Sequence, residues 1–582
     1  MALVVLETNA VPDEVSRTEI LLSLGDASAR GGDLAGSRAT FLEAAGIARR
    51  TGVARQLARA ALGYGGRLPW ARPGRDTRLI PLLQDALVLL GGEDDRLRAR
   101  LLARLACAWR STPDQRQQSG TLSRQALELA REQDDPATLS YALAARYWAT
   151  WWPENPEERL RTANEMVVVA EAADDPERLI DAHLMLFMSY MERGRVADAR
   201  TKMDDVARLS GELRLVFAQI WLGFSIRALM ALLDGDFALV EEVLASEVAW
   251  TSPFTQVRDE TSVARMQLFL LRREQGRLAD VESTVRASAE EFPWYPLHRS
   301  ALACLLLDLG RDRDARAVFD GLAKDEFAAL YRDNQWLLGV CLVSEACSLL
   351  GDVGAAGVLY EQLKPFAGRH AVGFQEGSVG AVDRYLGLLA ATMGRLDDGA
   401  RHLTEAVRLN EQMSARPWVA HSQADLARLL LMRNETGDGD RADELHREAL
   451  GTARALGMVF LETQVTERVR AQPDLPEARV AGGGGTFRSN GEYWTVAFGG
   501  NTVQIRDAKG MRHLARLLGE PRPRAPRTRI GSTGGANRCP SSGHCRRPGG
   551  GRVGRCRRGA RSGGQKRVSG KAGRARRRSR RG

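Results

Sequence analysis

The sequence predicts an all-α fold: a superhelix of repeated helix pairs, followed by a short β-hairpin plus helix stub and a disordered basic tail. Three observations predict it. One phrase recurs along most of the chain: an apolar helix, a Gly followed by Asp or Arg, then a second amphipathic helix with small residues. Near Gly491 the apolar period changes from helical to alternating. Beyond Glu520 the large apolar residues almost vanish. The expected boundaries are an N-terminal extension over 1–14, the array over 15–470 and a linker over 471–485. The hairpin and helix stub follow over 486–519, then the tail over 520–582.

The N-terminus, MALVVLETNAVPDEV, has no basic segment and no long apolar core, so it does not read as a signal peptide. The array begins with its clearest unit, LGDASARGGDLAGSRATFLEAA. Gly25 and Ser37 let two helices approach closely, and Phe41 fills the gap between neighbouring pairs. These residues, with Leu24, Gly32, Asp33 and Ala44, resemble the pattern of a tetratricopeptide repeat. The turn glycine recurs at Gly194, Gly235, Gly276, Gly310, Gly351 and Gly394, spaced about 34 to 43 residues apart. Glycine suits the end of the first helix because the backbone there turns left-handed. Ala315 with Phe319, and Ala356 with Tyr360, repeat the small-then-large order. Such pairs cannot bury their faces alone; they stack into a superhelix with a concave groove.

Two stretches break the rhythm, GYGGRLPWARPGRD and RYWATWWPENPEERL, and ARPW at Ala415 is a lesser case. Trp70, Arg72, Trp148, Trp151, Trp152, Arg416 and Trp418 are therefore candidate groove or loop contacts for a peptide or ligand. The alternative is packing at irregular helix ends, the commoner use of aromatic side chains. The most membrane-like run, LVFAQIWLGFSIRALMALL, is interrupted by Gln219, Gly223, Ser225 and Arg227, and reads as a buried helix. Cys107, Cys304, Cys341 and Cys347 lie in apolar helical contexts and read as buried thiols. The seven cysteines are too sparse for a disulfide framework, which points to a reducing cytoplasm.

Catalytic signatures are absent. There is no phosphate-binding Gly-x-x-x-x-Gly-Lys-Ser/Thr loop, no His-Glu-x-x-His helix and no Gly-x-Ser-x-Gly elbow. QKRVSGKA has Gln565 and Ala572 where the first loop needs Gly and a hydroxyl. Cys539, His544, Cys545 and Cys556 match no zinc-finger spacing. The expectation is a non-enzyme without cofactor or metal.

In the C-terminal region, Tyr493, Thr495 and Ala497 alternate with Trp494, Val496 and Phe498. Gly499-Gly500-Asn501 makes a tight turn, and Val503 and Ile505 return on a second strand. AKGMRHLARLL then reads as an amphipathic helix. A strand pair leading into a helix begins a winged-helix module, here incomplete. On this helix Lys509, Arg512 and Arg516 are candidate nucleic-acid contacts.

GEYWTVAFGGNTVQIRDAKGMRHLARLLGEP resembles a segment near the C-terminus of large bacterial ATP-binding regulators. These join a signal-transduction ATPase module to a long tetratricopeptide array, some with a cyclase or a LuxR-type helix-turn-helix module. ALGYGGRLPW, WWPENPEERL and DRYLGLLAATMGRLDDGARHLTEA resemble the same regulators' helical region. The resemblance implies a cytoplasmic sensor and scaffold whose groove takes a protein, a peptide or a small inducer. The family's ATPase module is expected ahead of the array, and no residues here match it, so ATP binding is not carried over.

The tail holds the basic charge. Over residues 520–582 Lys and Arg exceed Asp and Glu by 20, and over the rest they fall short by 10, which together give the net charge of +10. A nucleic-acid arm, a linker and the product of a shifted reading frame all remain open for this Arg/Gly-rich stretch. The arm supplies the rival expectation, a DNA-binding regulator. A membrane partner is not expected.

Overall fold

The computed structural model describes residues 13–66, 77–110, 112–213, 216–251, 258–471, 486–490, 493–498, 501–506 and 514. Trp70, Arg72, Lys509, Arg512, Arg516 and the tail lie outside the described residues. The chain divides into two compact units, Met1–Leu475 and Pro476–Gly582.

The first unit is a tetratricopeptide-like superhelix of antiparallel helix pairs. It opens with α1 (Glu14–Arg30) and α2 (Leu34–Thr51), α3 (Ala54–Gly65) and α4 (Leu79–Leu90), α5 (Asp95–Trp109) and α6 (Arg116–Glu132). Next come α7 (Pro136–Ala149) and α8 (Pro156–Ala172), α9 (Pro176–Glu192) and α10 (Val196–Leu213), α11 (Val216–Asp234) and α12 (Phe237–Thr251). Then α13 (Arg258–Glu274) pairs with α14 (Glu282–Glu291), α15 (Pro296–Asp308) with α16 (Asp312–Phe327), and α17 (Trp336–Leu350) with α18 (Val353–Leu363). A strand pair, β1 (His370–Val372) and β2 (Ser378–Ala381), interrupts before α19 (Val382–Thr392) and α20 (Leu396–Gln412). The unit ends with α21 (Arg416–Arg433), α22 (Asp438–Leu456) and a final α23 (Val459–Ala471).

The turns form as their chemistry requires. Gly351 has φ +66°, and Asp352 caps α18 by accepting the Ala355 N–H at 3.0 Å. At three turns where Arg replaces Asp, the cap is lost and the Arg instead binds an aspartate three residues on, whereas Arg311 binds Glu282. Arg195 reaches Asp198 at 2.7 Å, Arg277 reaches Asp280 at 2.9 Å and Arg395 reaches Asp398 at 2.9 Å. In the first pair Phe41 is buried between Gly25 and Gly63, and a Cβ at Gly63 would lie 2.3 Å from its ring. The Ser37 hydroxyl donates to the Gly25 carbonyl at 2.8 Å across the same joint. The four array cysteines are buried free thiols. Burial pushes the Cys107 thiol up to about 11. Among the described residues no helix is long and apolar enough to cross a membrane.

Two features depart from the expected array. The first-helix stack returns onto itself: α11 packs on α21, and α13 packs on α23, five pairs further along the chain. The strand pair β1–β2 lies inside this turn, touching α9, α11, α17, α20 and α21.

The second unit contains an antiparallel three-stranded sheet rather than a two-stranded hairpin. β4 (Tyr493–Phe498) pairs with β5 (Asn501–Arg506) as expected, with Trp494 opposite Ile505. β3 (Thr486–Asn490) adds to the other edge of β4, with Arg488 opposite Thr495. Trp494 is 9% exposed and Val503 56% exposed. The helix expected after β5 lies outside the described residues, except Leu514.

Candidate functional site

The hairpin packs against the first helices α7, α9, α11, α13, α17, α19 and α21. A Cβ on Gly377, which has φ +144°, would lie 2.4 Å from the Leu270 side chain, so the turn sits flush against α13. The Gly373 N–H closes the turn on the Gly377 carbonyl at 3.0 Å. Below it the Ala381 N–H donates to Asn410 Oδ1 at 2.9 Å, while Asn410 Nδ2 donates to the Trp418 carbonyl at 3.2 Å.

The tip carries Phe374, Gln375 and Glu376. The Phe374 ring stands edge-on to Trp148 at 4.7 Å and to Trp151 at 5.8 Å. Trp151 is held in turn: its Nε1 donates to Glu192 at 3.0 Å, and the Arg159 guanidinium lies 5.1 Å over its ring. The Glu376 carboxyl accepts from Tyr295 Oη at 3.4 Å and from Gln335 Nε2. Burial pushes the Glu376 carboxyl above the usual carboxylate range. Gln267 Nε2 donates to the backbone carbonyls of Ser225 at 2.8 Å and Gln375 at 2.6 Å. The Gln375 side chain is fully buried, and neither its Oε1 nor its Nε2 has a hydrogen-bond partner among the described residues.

Beyond the hairpin an ion-pair ladder crosses five successive first helices. Arg273 of α13 donates to Asp308 of α15 at 2.8 Å and to Glu345 of α17 at 3.0 Å. Arg384 of α19 donates to Glu345 at 2.9 Å and to Asp425 of α21 at 2.8 Å. Glu274 meets His421 Nε2 at 3.0 Å across the closure. Burial pushes the Asp308 carboxyl up to about 6, against the opposing pull of Arg273. Burial would raise Glu345 as well, but the arginines on both sides hold its carboxyl far below the usual range. A cavity of about 40 Å³ beside the ladder is bordered by Phe460, Leu461 and Val465 of α23, which leaves space for water and none for a peptide.

The sequence-predicted candidates separate under this geometry. Trp148 and Trp151 are 3% and 4% exposed and belong to the inner aromatic cluster around Phe374. Trp152 is half-buried on α6, with the Arg116 guanidinium 4.4 Å over its ring. Trp418 is 5% exposed and packs beside the His421 ring at 5.1 Å, while Arg416 is exposed. Sequence reasoning did not single out Phe374, Gln375, Glu376, Gln267, Tyr295, Gln335 or the ladder. GFQEG, with a glycine at each end, was the local signal for the tip. Among the described residues, no group of three or more His, Cys, Asp or Glu side chains could hold a metal ion.

No family model and no curated protein sequence matches the chain. Solved helical-repeat structures are similar to it at low identity. Yeast Tom70 aligns at 12% identity with a TM-score of 0.28, over 79% of this chain and 98% of that one. The APC/C hetero-tetramer Cut9–Hcn1 aligns at 13% identity with a TM-score of 0.32, over 78% and 90%. A circular tandem repeat protein with a novel repeat topology aligns at 15% identity with a TM-score of 0.13, over 78% and 91%.

Proposed function

We propose that the chain is the non-catalytic sensor and scaffold portion of a bacterial transcriptional or signalling regulator. In this reading a protein, peptide or small-inducer partner is recognised at the inner face of the superhelix. One observation carries the reading. The inner face is lined by buried rings and amides, Trp148, Gln267 and Gln335 among them, which meet residues 374–376, whereas the joints between pairs are filled by Ala, Leu and Phe. Groups that direct hydrogen bonds and stack on rings make a recognition surface. The ladder carboxylates are committed to arginines, which supports binding over acid–base chemistry. The bacterial-regulator assignment is supported by sequence resemblance, that of Gly491–Pro521 above all and that of the helical region beside it.

The test is affinity capture with the full chain, with the captured partner identified by mass spectrometry. Trp151→Ala and Gln335→Ala are expected to lose that partner while retaining helical circular dichroism. Val168→Ser, on the outer surface at 65% exposure, is expected to keep it, as is removal of residues 520–582. Unchanged capture by both inner-face variants overturns the reading. Salt-dependent DNA binding that disappears with residues 520–582 would instead support a nucleic-acid regulator.

A further inference from the structure

We propose that residues 369–381 are an intramolecular occupant of a peptide site on the inner face. The external partner of that site is an extended segment with an aromatic side chain and, two residues later, a carboxylate. The proposal rests on the inner-face reading above and specifies what binds there and how access is controlled.

The hairpin shows what the site accepts. Phe374 places its ring against Trp148 and Trp151, and Glu376 places its carboxyl on Tyr295 and Gln335. Between them the main-chain carbonyl of Gln375 accepts from Gln267. Ring, main-chain carbonyl and carboxylate are contacts that any extended segment with this spacing can reproduce. The receiving groups come from α7, α13, the start of α15 and the start of α17, and the occupant is an inserted strand pair outside the helical repeat.

The same hairpin fits incompletely. Among the described residues, Gln375, 0% exposed, spends neither amide atom on a partner, and His370, 1% exposed, has Nδ1 unpartnered. Gln267, also 0% exposed, leaves its Oε1 unpartnered beside them. Buried polar atoms without partners weaken the segment that carries them. The flanking helices α17 and α19 bury long apolar faces instead. The tip of the hairpin is thus held by its ring, its carboxylate and the Gln375 carbonyl, its base by Asn410 and Tyr385, and it is loosened by its glutamine and histidine. An occupant that must yield to a competitor needs this balance, since a tightly satisfied insert could be displaced only by unfolding the array.

The experiment is hydrogen exchange on the full chain, followed by peptide binding. Amides of residues 371–380 are expected to exchange by local opening, at least about a hundredfold faster than those of α17 and α19. Gln375→Leu, which removes the unpartnered amide at similar volume, is expected to slow that exchange about tenfold. A fluorescent synthetic peptide spanning Arg369–Ala381 is expected to bind Phe374→Ser at least about tenfold tighter than the parent chain, because the variant's own hairpin has lost its ring. The same peptide carrying Phe374→Ser is expected not to bind. Hairpin amides that exchange no faster than those of α17 and α19 overturn the proposal. Local opening without peptide binding to Phe374→Ser overturns it too. Either failure leaves the inner-face reading standing, because that reading fails only when partner capture ignores the Trp151 and Gln335 substitutions.

Discussion

Asp308 and Glu345 sit on adjacent rungs of one ladder and respond to acid in opposite ways. Asp308 has its folded value raised from 3.8 to about 6 by burial. Its protonation therefore stabilises the fold below pH 4, and that contribution is lost as pH rises through 6. The shift corresponds to about 3 kcal/mol. Glu345 is depressed in the fold, so its contribution is present above its ordinary value of 4.5 and is lost as pH falls. Urea denaturation across pH 3–7 is expected to show the stability difference between parent and Asp308→Asn falling between pH 4 and 6. Glu345→Gln leaves two buried arginines without their shared carboxylate and is expected to cost about 3–5 kcal/mol at pH 7. That deficit should shrink below pH 4.5. At the other end of the array, Gly63→Ala drives a Cβ into the Phe41 ring and is expected to cost about 1–3 kcal/mol. A Phe41→Leu background should relieve much of the Gly63→Ala cost, as a double-mutant cycle would show. This joint was legible in the sequence because Gly25, Ser37 and Phe41 have fixed spacings within one pair. The ladder was not, since each rung lies on a different pair and arginine is common on every helix.

At the scale of elements, legibility followed the backbone. Turns that need a left-handed residue and a cap declared themselves as Gly-Asp or Gly-Arg. Gly351→Ala is expected to destabilise by about 1 kcal/mol through its positive φ, and Asp352→Ala by about 1 kcal/mol through the lost cap. Thermal denaturation of the two single variants and the double measures both. The turn between α21 and α22 is less regular, because Asn434, at φ +55°, ends α21 in place of glycine and Gly437 follows three residues later at φ +89°. The turn between α7 and α8 stood out as a break in the rhythm, because Trp151, Trp152 and Pro153 build it in place of a Gly-Asp or Gly-Arg pair. The hairpin was hidden because its strands span three and four residues, too short for an alternating pattern to stand out from a helical one. Strand β3 had a signal, Asn490-Gly491 before Tyr493, that marks a tight hairpin turn. The tryptophans were recognised as unusual, but the ring they face, Phe374, is more than two hundred residues away in the chain.

At the scale of the first unit, closure changes the thermodynamics. In an open stack each pair touches its neighbours alone, so unfolding can begin at an end and spread. Here α11 is bound to α21 and α13 to α23, so pairs five apart share their stability. Calorimetry, circular dichroism and tryptophan fluorescence are expected to report one coincident transition for this unit. His421→Ala, which leaves Glu274 buried without its partner, is expected to separate the C-terminal pairs as an earlier transition.

Closure also bears on how such a chain can lengthen. Duplicating one pair in an open stack adds a rung and leaves every other contact intact. In this array a pair added between α13 and α21 would advance α21 and α23 past the helices that receive them, and would carry His421 away from Glu274. The number of pairs in that span is therefore fixed by geometry, and the constraint reaches back to α7, because Trp148 and Trp151 must meet Phe374.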